Sequence, residues 1–451
     1  MNQNILTKFL DTSQFGGFHK LLLFICFFII TFSGYELSVF GSIVPVVIKE
    51  WDISPTQIGF IGSSAMFGMM FGAVSLSLLA DKFGVKKLLI ISIFIFNFFI
   101  VLATFTDSGL MFGICRFMAG VGSGGATPIV ISLLTEYSPK GSKAKMVAIA
   151  ICGNQVGGML APFIAMHVMP QHGWEPVLWV SAIPLVLLPL LVKIIPESAR
   201  YLLSNDQSQL DSTLNKIDTN YKRTLKTLSS ESTELSVQTT NEKVSYFKLF
   251  NKKYLVGTVL IGVIYSCGLL TINGVNVWLP QVMNQNGYAL GSSLTFSIML
   301  NMGTLVGTVL WAVTADKVGF KVLMPAIYLA GAVSLFAMSV KTELYILYFF
   351  VGLIGMFAFS AHSLMNTFTS QYYPGEVRTS GVGLANAVGR VGGMLGPIAG
   401  GILLTSNVSM TTWFIAFAVP GVLAAVSITI INLHRSYVSK KEQQLDLATD
   451  N

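Results

Sequence analysis

Charge is scarce in this chain. Only 11% of its 451 residues are Asp, Glu, Lys or Arg, while 53% are hydrophobic and 32 are Phe. A soluble domain carries roughly 25% charged residues, so a water-facing shell is missing and lipid must solvate most of the surface. Cysteine is scarce too. Cys26, Cys115, Cys152 and Cys267 all fall in apolar stretches without CxxC spacing, which speaks against disulfides and thiolate metal sites; they read as small core residues. The five His are scattered, so neither a metal centre nor the nucleophile constellation of a membrane enzyme is in view. A GxxxxGK run followed by Ser or Thr is absent as well, which leaves the chain without an ATP motor of its own. No cofactor and no metal are expected.

What is present is a series of apolar runs of about 20 residues, each long enough to cross a bilayer as a helix. Twelve are found, near 21–47, 56–79, 88–106, 109–135, 146–168, 175–195, 254–281, 291–314, 322–340, 344–370, 380–404 and 411–433. The first is too long for a signal peptide and has no small-residue cleavage site, so it reads as a span. With the N-terminus inside, the short inner loops and tails carry fourteen Lys and Arg, while the outer loops carry only Lys49 and Lys341. Such a bias places both termini in the cytoplasm. The net charge of +7 is the same asymmetry seen in sum; it points to an anionic inner leaflet and to no nucleic acid.

The landmarks of the first half recur 235 residues later. Pro45 matches Pro280, ADKFGVK at 80–86 matches ADKVGFK at 315–321, Tyr137 and Pro139 match Tyr372 and Pro374, and VGGMLAP at 156–162 matches VGGMLGP at 391–397. One constant offset means two copies of one hydrophobic half. Two six-helix bundles of this kind usually face a central site and rock about it, which is the plan of a transporter. The predicted organisation is therefore an all-α membrane protein, with bundles at 1–195 and 253–433, a polar linker at 196–252 and a tail at 434–451. The linker opens with PESARYLL at 196–203, which reads as a capped short helix on the membrane face; 204–241 reads as frayed or partly helical and the tail as mobile. Gly120, Gly122, Gly124 and Gly125 of the fourth run, with Gly157, Gly158, Gly392 and Gly393, mark tight helix packing.

The two repeated loops set Asp81 and Lys82 before Gly84 and Lys86, and Asp316 and Lys317 before Gly319 and Lys321. An Asp ending a span can accept hydrogen bonds from a neighbouring helix N-terminus, while the lysines sit at the headgroups. The pattern reads as a gate latch. These loops resemble the signature of the major facilitator superfamily after the second span and its echo after the eighth, with Ser77 where Gly is usual and Val85 where a basic residue is usual. GYELSVFG at 34–41, Arg116 with the glycines that follow it, Glu136 with Pro139, PESARYL, and YYPGEVRTSGVGLANAVGRVGGMLGP at 372–397 resemble the aromatic acid:proton symporters and the proton-coupled sugar porters. The last stretch is most similar to the former. Ser33 stands where those symporters often carry a second acid, which leaves Glu36.

An ionised side chain at the bilayer centre costs at least about 2.5–3.5 kcal/mol on insertion scales, so each one needs a reason. Glu36, Arg116 and Arg390 stand out. The offset puts Thr271 opposite Glu36, Val351 opposite Arg116 and Gln155 opposite Arg390, so these charges are not shared between halves. A feature needed only to build the fold should appear twice; their asymmetry favours a task. In the resembling symporters a first-span carboxylate and a fourth-span arginine couple the proton, and Glu36 and Arg116 occupy those positions. Desolvation disfavours a carboxylate and a nearby arginine favours it, so withdrawing the arginine would load the proton. Arg390 lies about ten residues into its span, roughly 15 Å deep at 1.5 Å per residue, and its fork suits a carboxylate. Asn273, Asn276, Gln155 and Asn366 could hydrogen-bond ring substituents. His362 reads equally as a core histidine or a second proton site. Tyr35, Tyr265 and Trp278 could sandwich a ring, although packing is the commoner use of such aromatics.

The resemblance implies proton-coupled import of a small organic anion, an aromatic carboxylate such as benzoate, a hydroxybenzoate or nicotinate; the chain is expected to sit in the cell membrane as a monomer. A proton-coupled sugar or polyol porter is the rival. A drug exporter fits less well, since the fifth span reads LAPFIA where exporters carry a GPxxGG-like motif.

Overall fold

The computed structural model describes residues 3–231, 249–339, 342–374 and 377–449, and every regular element among them is helical. Among the described residues twelve helices are long and apolar enough to cross a membrane: Gly17–Trp51, Pro55–Ala80, Val85–Ala103, Gly109–Tyr137, Lys143–His172, Glu175–Ile194, Tyr254–Gln285, Leu290–Val318, Phe320–Ala337, Leu344–Tyr372, Ser380–Thr405 and Met410–Leu433. They are numbered here as spans 1 to 12. All twelve expected runs are matched, with most ends carried a few residues into polar sequence because helical hydrogen bonding continues past the apolar core.

Two spans depart from a plain α-helix. Span 6 is three short helices, Glu175–Trp179, Ala182–Val186 and Leu188–Ile194, with Pro184 and Pro189 removing backbone donors. In span 10 the turn Gly355–Phe359 widens to a π-helix between Leu344–Ile354 and Ser360–Tyr372. Such turns rotate the residues that follow and recur at functional sites.

The repeat governs local structure closely. Helices beginning at Pro55, Val85 and Gly109 have counterparts beginning at Leu290, Phe320 and Leu344, each 235 residues on. The residue between the first two in each half is a glycine of positive φ, 98° at Gly84 and 83° at Gly319.

Contacts gather the chain into two compact units, Met1–Phe40 with Ser64–Asn241 and Gly41–Ser63 with Glu242–Asn451. The first has a core around Leu89, Ile93, Phe96, Val130 and Leu134; the second around Ile261, Ile264, Met324 and Ile428. Within the first, spans 2 and 4 touch backbone to backbone: a Cβ on Gly120 would fall 2.1 Å from the Ala65 carbonyl oxygen, and one on Gly124 would fall 2.2 Å from that of Met69. The glycines of span 4 therefore serve packing, as small residues do between helices in lipid.

The polar segments are more ordered than their composition suggests. An amphipathic helix, Gln3–Thr12, precedes span 1 and buries Leu6, Phe9 and Leu10 in the first unit. Its end is held where Lys140 N–H donates to the Asp11 carbonyl at 3.0 Å and Lys143 Nζ reaches Asp11 Oδ1 at 3.2 Å. After span 6 come Ala199–Asn205, Gln207–Ile217 and Tyr221–Glu231, the first two capped by Ser198 and Asp206 accepting from Tyr201 and Gln209 N–H groups. The stretch from 204 is thus helical as far as 231, and the rest of it lies outside the described residues. The tail, expected to be mobile, extends the last helix, Met410–Thr449.

Candidate functional site

Spans 1 and 4 bring Glu36 and Arg116 together in the first unit, where both are buried. Arg116 Nη1 donates to Glu36 Oε1 at 2.9 Å and to the Glu36 backbone carbonyl at 3.2 Å. The guanidinium lies 4.7 Å from the centre of the Phe40 ring, a face that attracts cations. Glu36 Oε2 and Arg116 Nε are sealed from solvent without hydrogen-bond partners. Beside them the hydroxyls of Ser33 and Ser123 are 2.7 Å apart, and Ser123 also interacts with the carboxyl. Burying two charges costs several kcal/mol per ion, recovered only when geometry and remaining hydrogen bonds are good. Here Glu36 Oε2 and Arg116 Nε go unanswered.

The remaining expected residues divide between the units. Gln155 is half-buried on span 5 of the first unit. In the second unit Arg390 is half-buried on span 11, and Asn273 is buried on span 7 against Gly393. Asn276, one turn further, has its Oδ1 sealed without a partner. His362 lies edge-on to Tyr265, ring centres 5.4 Å apart, with Nδ1 likewise sealed.

The aromatic residues expected to hold a ring are all buried. Tyr35 is 2% exposed and donates its hydroxyl proton to the Val177 carbonyl at 2.6 Å, inside the first unit. Trp278 is fully buried and its indole N–H donates to the Pro397 carbonyl at 2.7 Å. Both polar donors are engaged within the core of their own unit. Tyr265 is buried as well, and its hydroxyl reaches Asn366 Oδ1 at 3.0 Å. A second donor to that same oxygen is Asn386 Nδ2 at 2.9 Å. Asn386 was not singled out in the sequence; its one signal is that it precedes Arg390 by four residues on the same helix face.

Of the gate-loop residues, Lys82, Asp316, Lys317 and Lys321 are exposed, and the Asp81 side chain lies outside the described residues. Glu197 of the PESARYL segment is an acceptor at the first loop. Its Oε1 accepts from Lys86 N–H at 3.0 Å and Ser198 N–H at 2.9 Å, and its backbone carbonyl accepts from Tyr137 at 2.5 Å. Glu136 Oε1 accepts from Ser198 Oγ at 3.0 Å and Arg200 N–H at 2.8 Å. A neighbouring cavity of about 550 Å³ is lined by charged groups including Asp11, Lys82, Glu136, Lys143 and Arg200; none of Glu36, Arg116 or Arg390 borders it. No three His, Cys, Asp or Glu side chains cluster as a metal site among the described residues.

The family model described as Major Facilitator Superfamily matches the chain at residues 26–340 and again at 261–446. The chain is 34% identical to the benzoate transport protein of Acinetobacter baylyi, over 96% of this chain and 93% of that one. It is 29% identical to the gallate transporter of Pseudomonas putida, over 93% of each. Among solved structures, the D-xylose-proton symporter superimposes with a TM-score of 0.71 at 18% identity, covering 91% of this chain and 97% of that one. The last likeness speaks for the fold alone. A duplicated set of twelve spans, the matched family model and relatives aligned along nearly their whole length make this multi-pass membrane protein a member of the Major Facilitator Superfamily, within its aromatic acid transporters.

Proposed function

We propose that the protein imports an aromatic carboxylate of the benzoate, hydroxybenzoate or nicotinate type across the cell membrane together with a proton, as a monomer with both termini cytoplasmic. The substrate class is supported by relatives named for benzoate and gallate. The orientation is supported by the concentration of Lys and Arg in alternate loops. The observation that carries the coupling is the buried Glu36–Arg116 pair, whose carboxyl keeps Oε2 unpartnered. A proton added to Glu36 removes the charge that Arg116 neutralises and releases the guanidinium from Oε1, leaving the Glu36 carbonyl as its acceptor. Arg390 binds the substrate carboxylate through its planar fork. Asn273, Asn276, Gln155 and His362 supply the polar surroundings.

One monoanion carried with one proton is electroneutral, so the driving force is the pH gradient, about 1.4 kcal/mol per pH unit. Uptake of labelled benzoate, hydroxybenzoates, nicotinate and a hexose into proteoliposomes, with and without an inward proton gradient, tests the reading. Gradient-dependent accumulation of an aromatic acid is the expected result. Hexose uptake insensitive to excess benzoate would replace it with the sugar-porter reading.

A further inference from the structure

In span 10 the turns after the π-helical segment carry a polar stripe. Ser363, Asn366 and Thr367 are exposed and Ser370 is half-buried, all on one helix face. A row of exposed polar groups on a membrane helix faces water rather than hydrocarbon. Asn366 is the most constrained of them. Its Oδ1 receives Tyr265 OH at 3.0 Å and Asn386 Nδ2 at 2.9 Å, which fills both lone pairs of an amide oxygen. Tyr265 is held in turn by Thr369 Oγ1, which donates to its hydroxyl at 3.3 Å.

The orientation of both amides follows from one backbone group. Asn386 Nδ2 also donates to the Val382 carbonyl at 2.9 Å. A carbonyl only accepts, so the nitrogen of Asn386 must face that way, and that nitrogen is the atom presented to Asn366. Asn366 must therefore answer with oxygen and turn its NH₂ outward. The outcome is a fixed pair of open ends on joined amides: two N–H donors on Asn366 and the acceptor Oδ1 on Asn386.

A hydroxyl is the group that can accept from the one and donate to the other. A ring nitrogen only accepts, and a bare ring edge does neither. Arg390 lies one turn beyond Asn386 on the same span, roughly 6 Å of rise, about the reach of a benzene ring with its substituents. Resting on the substrate class proposed above, we propose that Asn366 is a specificity-determining residue: with Asn386 and Tyr265 as positioning residues, it reads a ring hydroxyl and selects hydroxylated aromatic acids over unsubstituted ones.

The test measures half-saturation constants for benzoate, nicotinate and 4-hydroxybenzoate by counterflow in proteoliposomes. The wild-type protein should favour 4-hydroxybenzoate over benzoate, and Asn366→Asp, which keeps the side chain's size but removes both donors, should lower that preference ratio about tenfold. Tyr265→Phe removes one of the two donors that fix the amide and should lower the same ratio by a smaller factor. A ratio within twofold of wild type in both variants overturns the inference while leaving aromatic-acid transport intact. Should the wild-type protein exchange none of the three acids, the underlying transport reading fails first, a distinct result.

Discussion

Arg116 holds Glu36 through a single guanidinium nitrogen, which reaches the carboxylate at 2.9 Å and the backbone carbonyl of the same residue at 3.2 Å. A forked contact would bind the carboxylate harder and in one geometry. The one-nitrogen contact has a different consequence. On the coupling proposed above, a proton on the carboxyl would release the guanidinium from Oε1 and leave the Glu36 carbonyl as the remaining acceptor for the same nitrogen.

Glu36→Gln mimics the protonated carboxyl permanently. Accumulation driven by a pH gradient should fall to equilibration, an internal-to-external ratio of about one against roughly tenfold per pH unit for a one-proton symporter. Counterflow exchange of labelled substrate should survive, because exchange needs the two orientations but no net proton movement. Unaltered gradient-driven uptake by this variant would remove Glu36 from coupling.

Arg116→Ala leaves a buried carboxylate without its counter-charge. Removing one partner of such a pair costs about 3–5 kcal/mol, so the thermal midpoint of the purified protein should drop. The double variant Arg116→Ala with Glu36→Gln should recover most of that loss, because no charge is left stranded. Equal midpoints for the single and double variants would show that the pair contributes nothing by its charge.

The spans and the duplication were legible because lipid forces each crossing segment to hide all of its backbone polar groups within itself, leaving a long apolar run as signature. Glu36 and Arg116 were legible for the related reason that a charge in such a run is expensive. Glu197 was not. Its partner, the Lys86 amide, is 111 residues away and is a backbone group that any sequence would supply. The helix Gln3–Thr12 escaped because three buried apolar residues in ten leave no hydrophobic run. The hydrogen bond of Tyr35 was not legible either: a tyrosine beside a charged residue looks the same in sequence whether its hydroxyl faces a ligand or, as here, the Val177 carbonyl.

Arg390→Lys should raise the half-saturation constant for aromatic acids by about tenfold or more, since an ammonium cannot reproduce the planar two-point contact. Arg390→Ala should raise it further. The maximal rate is expected to change less than the constant, the pattern of lost ground-state binding. Constants equal to wild type in both variants would take Arg390 out of substrate recognition.

The two glycines of the repeated loops offer a matched experiment. Gly84 and Gly319 share a backbone region nearly closed to other residues, with φ of 98° and 83°, so alanine at either should cost about 1–3 kcal/mol in strain. Their surroundings differ. A Cβ on Gly319 meets nothing within 4 Å, whereas one on Gly84 would lie 2.6 Å from Glu197 Oε2. Glu197 cannot simply swing aside, because its other oxygen accepts from the Lys86 and Ser198 amides. Gly84→Ala should therefore lower the melting temperature more than Gly319→Ala, by the equivalent of about 1–3 kcal/mol for the disturbed bonds to a charged acceptor. Glu197→Ala alone should lose those same bonds, so adding it to Gly84→Ala should cost little more. Fully additive losses in the double variant, read by thermal denaturation, would mean that the loop and Glu197 stabilise the protein independently and that no latch exists.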